Sequence, residues 1–147
     1  MAWTEQQKLI ASGASAGDYS GWAVDISGDT FAFGSRNENS NTGAVYVFTR
    51  SGGVWTEQQK LVASDAAAGD WFGGGAAISG DSVIVGAPDD DDAGSESGSA
   101  YIFTRSGGVW TEEQKLTASD AAAGDYFGEG VDTLICSTRY VCVLTPG

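Results

Sequence analysis

The chain has 147 residues, seven basic and twenty acidic, and a formal charge of −13, which repels phosphate backbones and lipid headgroups and makes nucleic acid an unexpected partner. Twenty-two glycines against two prolines point to short strands joined by tight turns, and no apolar run reaches the roughly 18 residues of a membrane-spanning helix, so no membrane insertion is expected. Histidine is absent, which removes the commonest general base and zinc ligand and leaves an enzyme only carboxylate chemistry.

The first element, residues 3–9 with sequence WTEQQKL, recurs at 55–61. TRSGGVWTE at 49–57 recurs letter for letter at 104–112, and SDAAAGD at 64–70 recurs at 119–125. The spacing is 52 at the start of the unit and 55 near its end, so three extra residues fall between Gly86 and Gly98. A segment that tolerates a change of length is a surface loop.

Each unit reads as four short strands, taken in the second copy at about residues 74–79, 82–87, 99–105 and 109–118. SVIVG at 82–86 and AYIF at 100–103 are nearly continuous apolar runs, as in strands covered on both faces. The last strand is charged, as an exposed edge should be. Buried inner strands and a polar outer strand at a fixed period describe the blades of an all-β propeller with four-stranded antiparallel sheets. The rival reading of TEQQKL as a short helix rests on good helix formers, but the segment is under two turns long and follows Gly-Gly. The chain then divides into an outer strand at 1–10, blades at 18–62 and 70–117, and an abridged third unit at 125–147. That is two complete blades and a composite third.

The residues Phe72-Gly73, ISGDSVIVGAP at 78–88 and GSAYIF at 98–103 resemble the FG-GAP repeat of integrin α-subunit propellers and of many bacterial surface and secreted proteins. The first copy departs from the motif, with Ser20-Gly21 for Phe-Gly and Gly34-Ser35-Arg36 for Gly-Ala-Pro. The resemblance implies a binding module rather than an enzyme, a secreted or cell-surface location, and loops that present residues to a protein or glycan partner. A structural propeller piece without a ligand, and an accessory domain of a secreted hydrolase, are the alternative readings.

Asp89, Asp90, Asp91, Asp92 and Glu96 place five carboxylates on one loop, a set able to supply oxygens to calcium. Their spacing fails the alternating-acid rule of calcium loops, because Ala93 or Gly94 stands at the third ligand position. A solvated acidic loop and a calcium site are both open; no other cofactor is expected. Asp18, Asp70 and Asp125, each after Ala-Gly and before Tyr or Trp, read as turn-fixing carboxylates. Trp3, Trp55 and Trp110 read as packing between blades. Cys136 and Cys142 flank Arg139 symmetrically, so a hairpin there would oppose them as a cross-strand disulfide or as two thiols.

The outer-strand sequence at residues 3–10 complements the inner-strand sequence near the other end. Trp3, Leu9 and Ile10 of one subunit are therefore expected against Tyr140, Val141 and Val143 of another. Two chains would close a six-bladed ring as a homodimer; a trimer of nine blades is the less economical solution.

Overall fold

The computed structural model describes residues 1–132 and 142–144. The turns that read so clearly in the sequence fix its registers. Gly52-Gly53 and Gly107-Gly108 have φ of 58 and 81° and of 58 and 82°, and each pair closes a two-residue hairpin between Ser51 and Val54 or Ser106 and Val109. Only glycine takes two successive positive φ values without strain, and this twist suits flanking antiparallel strands.

Two four-stranded antiparallel sheets result. The first contains β1 (Ser20–Ser27), β2 (Thr30–Ser35), β3 (Ala44–Ser51) and β4 (Val54–Leu61), side by side in chain order. The second contains β5 (Gly75–Ser79), β6 (Ser82–Ala87), β7 (Ser99–Ser106) and β8 (Val109–Leu116). Between β2 and β3 a single turn, α1 (Glu38–Asn41), carries left-handed φ at Asn39 and Ser40. The segments with good helix formers are strands β4 and β8, because pairing with buried β3 and β7 outweighs a local preference of tenths of a kcal/mol per residue. Both edge strands bulge at the same place: β4 skips Gln58 opposite Val47 and Phe48, and β8 skips Glu113 opposite Ile102 and Phe103. Bulges of this kind twist an exposed edge away from further pairing.

The largest core cluster lies between the sheets. Val45, Val47 and Leu61 of the first blade pack with Phe72, Ile78, Val83, Tyr101 and Trp110 of the second. Backbone also touches backbone there. Gly43 forms a parallel bridge with Phe72, and Gly98 forms one with Phe127 of the next unit. A Cβ on Gly34 would lie 2.0 Å from the Gly73 carbonyl oxygen, and one on Gly86 1.8 Å from that of Gly128. The Phe-Gly of one unit thus seats directly on the glycine that begins the Gly-Ala-Pro position of the unit before it.

The third unit opens with β9 (Gly130–Asp132), which follows Phe127-Gly128 as β5 follows Phe72-Gly73. Strand β10 (Cys142–Leu144) pairs antiparallel with β9, and Cys142 stands opposite Asp132. The inner-strand sequence expected near this end thus includes residues 142–144, which adjoin the first strand of the unit. Cys136, Tyr140 and Val141 lie outside the described residues.

Candidate functional site

One turn is repeated three times. The carboxylates of Asp18, Asp70 and Asp125 accept backbone N–H bonds from Ser15, Ala67 and Ala122 at 2.6, 2.7 and 2.7 Å. Each closes the loop ahead of an aromatic residue. Those aromatics, Tyr19, Trp71 and Tyr126, have φ of 52, 56 and 50°, a left-handed conformation that costs a bulky residue on the order of 1 kcal/mol or more. The bent backbone is held from the neighbouring blade. Trp71 N–H donates to the Asn41 carbonyl at 2.9 Å, and Tyr126 N–H donates to that of Glu96 at 3.0 Å. The second and third units thus each set one aromatic residue, Trp71 or Tyr126, at the junction with the unit before.

At the junctions Trp71 and Tyr126 border a groove of about 820 Å³, shared with Trp22, Arg36, Asp89, Glu96 and Glu129. The Arg36 guanidinium lies 3.3 Å from the Trp22 ring centre and 4.2 Å from that of Trp71, so it contacts both indoles. Arg36 Nε is buried with no hydrogen-bond partner among the described residues. Tyr126 O–H donates to Glu96 Oε2. Burial, reinforced by Glu96 and only partly offset by Arg36, raises the Asp89 carboxyl to about 6. Hydrogen-bond donors and acceptors thus face one aromatic-walled cleft.

The five loop carboxylates divide between two destinations. Asp89 and Glu96 border the groove. Asp90 is buried and Asp92 lies at the surface beside it, and both converge with Asp65 on Lys115 Nζ, at 2.9 Å for Asp90, 2.6 Å for Asp92 and 2.7 Å for Asp65. Tyr101 Oη lies 2.8 Å from a carboxylate oxygen of Asp65 and 2.8 Å from one of Asp90, and its single proton serves one of them at a time, while Asp91 accepts the backbone N–H of Glu96 at 2.7 Å. Oxygens of Asp65, Asp90 and Asp92 lie within 4.8 Å of one another, a spacing that suits a cation, and the cation at their centre is the chain's own ammonium. Burial would lower the Lys115 pKa, but its hydrogen bonds to the three carboxylates outweigh burial and raise it. The first blade repeats the device with Lys60, Glu38 and Tyr46.

Of the residues assigned to an interface from sequence, Trp3 and Ile10 are exposed, while Leu9 packs against the aromatic cluster that contains Phe33 and Tyr46. Residues 1–10 form no strand, yet they are docked. Gln7 donates to the Trp55 carbonyl and accepts from its N–H, both at 2.9 Å. Gln59 makes the same fork with Trp110, both bonds at 2.8 Å. Ser12 binds Glu57 through its N–H and hydroxyl, as Ser64 binds Glu112. The N-terminal segment therefore lies against the first blade as the outer strand of a preceding blade would. Val143 pairs with Val131 in the β10–β9 ladder.

Sequence reasoning missed Trp22, Arg36, Glu129 and the glutamine fork. Arg36 in place of proline in Gly-Ala-Pro was the visible signal for the groove, and the recurrence of Gln7 as Gln59 and Gln114 was the signal for the fork. The family model described as FG-GAP repeat matches residues 3–48, 55–103 and 110–133. Each matched stretch begins at the recurring tryptophan, Trp3, Trp55 or Trp110, and runs into the strands of the following unit. No curated protein matches the chain.

Proposed function

From the premise that the chain belongs to the FG-GAP repeat family, we propose that this propeller module is a non-catalytic recognition and assembly unit. Its outer-strand contacts join repeats within and between copies, and its junction groove meets a partner outside the cell. The observation that carries the assembly reading is the twofold occurrence of the Gln–Trp fork with its Ser–Glu companion. Gln114 and Ser119 occupy the same positions on the far side of the second blade, and Trp3 and Glu5 are the matching acceptors. A second copy supplies residues 3–10 to Gln114 and Ser119, so that two chains close a six-bladed ring. The contact is head-to-tail, and a head-to-tail contact closes only when rotation per copy fits the ring.

The groove supports the recognition half, because aromatic rings, a guanidinium and carboxylates share one cleft of a size that holds ligands. The carboxylates around Lys115 neutralise the chain's own ammonium and do not line that groove. Light scattering tests assembly: the expected mass is near twice that of a monomer, and the Gln114→Ala, Ser119→Ala double variant shifts it downward. A folded monomer at micromolar concentration, unchanged by the double variant, overturns it.

A further inference from the structure

We propose that the groove between the blades binds a neutral oligosaccharide of hexose units, with a pyranose ring lying against Trp71 and Tyr126. The inference rests on the reading of the chain as a recognition module and names the ligand class of that site. Arg36 has its guanidinium packed on Trp22 and Trp71 and lines the groove beside them. Its buried Nε lacks an acceptor among the described residues, and a buried donor left unpaired is costly. Along the same cleft stand Asp89, Glu96 and Glu129, which accept hydrogen bonds when ionised.

A ligand must satisfy both sets. An anion would meet three carboxylates and a chain of charge −13, and a cation would leave the arginine donors unpaired beside a like charge. Vicinal hydroxyls serve both, since their oxygens accept from guanidinium and their O–H groups donate to carboxylates. The C–H face of a pyranose gives Trp71 and Tyr126 an apolar surface, and such rings combine apolar area with tolerance of a wet rim. The groove volume of about 820 Å³ falls in the range of roughly 300–1,000 Å³ found for ligand sites, and its lining comes from all three units, which favours an oligomer over a single sugar.

Calorimetry at pH 7 with millimolar maltohexaose, cellohexaose and laminarihexaose tests this. At least one is expected to bind saturably, and Trp71→Ala and Arg36→Lys are each expected to weaken it about tenfold. Arg36→Lys keeps the charge and removes the planar fork, so it remains informative if Trp71→Ala unfolds; circular dichroism checks both. No heat with any of the three sugars, or binding indifferent to both substitutions, overturns the proposal. Binding of a hexa-arginine peptide with the same dependence on Trp71, and of no sugar, overturns the sugar class but leaves the recognition reading standing. Failure of assembly by light scattering bears on neither.

Discussion

A methyl group on Gly86 would approach the Gly128 carbonyl oxygen to 1.8 Å, and no side-chain rotation relieves a Cβ clash with backbone. Gly86→Ala is expected to cost about 1–3 kcal/mol and to lower the melting temperature by several degrees in a thermal scan. Gly107 offers the contrast: nothing lies near its Cβ direction but its φ is +58°, so Gly107→Ala should cost only strain, about 1 kcal/mol. Asp89 supplies a pH signature. Its folded pKa of about 6 exceeds the ordinary 3.8, so the folded state binds more protons between these values and stability falls as pH rises from about 4 to 6. The groups that face it, Glu96, Arg36, Asp91 and Glu129, remain in Asp89→Asn, which should flatten that slope in denaturant titrations at pH 4.5, 5.5 and 7. Asp65 runs the other way. Burial would raise it, but hydrogen bonds from Lys115 and Tyr101 outweigh burial and hold it low, so its contribution is present above the unfolded value and lost as pH falls through the folded one. Lys115→Met leaves three converging carboxylates uncompensated, with Asp90 buried. The expected loss is about 2–4 kcal/mol at pH 7, shrinking as the medium is acidified.

At the scale of elements, the edge strands β4 and β8 carry five of the eight charged residues of the two sheets, yet the β4 glutamines bind the second blade. Gln59 both donates to and accepts from the backbone of Trp110. Gln59→Ala removes two hydrogen bonds and leaves Trp110, itself buried, with unpaired backbone groups. A loss of about 1–3 kcal/mol is expected, and amide exchange at Trp110 should quicken more than exchange in β6. Unchanged protection at Trp110 would mean that the ladder with β7 alone holds that edge. The residues of this fork were legible as a repeat, but their role was not, because a glutamine on a polar strand looks the same whether it meets solvent or a backbone. The strand assignment itself was legible: alternating turns and apolar runs placed β6 at its observed limits, and only the outer ends of β5, β7 and β8 moved by a residue or two.

At the scale of the molecule, ring closure would bring together two chains of charge −13 each. Screening shortens the reach of that repulsion, from a Debye length of about 30 Å at 0.01 M salt to about 10 Å at 0.1 M. Association of two copies should therefore tighten as sodium chloride is raised from 20 to 300 mM, read as a falling dissociation constant in sedimentation. Weakening over that range would show that ion pairs rather than the Gln–Trp fork and apolar contacts dominate the interface.

The sequence by itself determined the period, the blade and the family, because those depend on local rules: glycine at positive φ, apolar runs where both faces are covered, and charge on an edge. It also exposed the turn-fixing role of Asp18, Asp70 and Asp125, whose partners lie three residues away. Only the tertiary structure decided where the five acids of the 89–96 loop point. Asp90 and Asp92 reach Lys115 and Asp65 from other parts of the blade, while Asp89 and Glu96 join Arg36 and Trp71 across a junction. Neighbours along a loop share a sequence position but not a direction, and the docking of one blade on the next chooses between the lysine-centred cluster and the open groove.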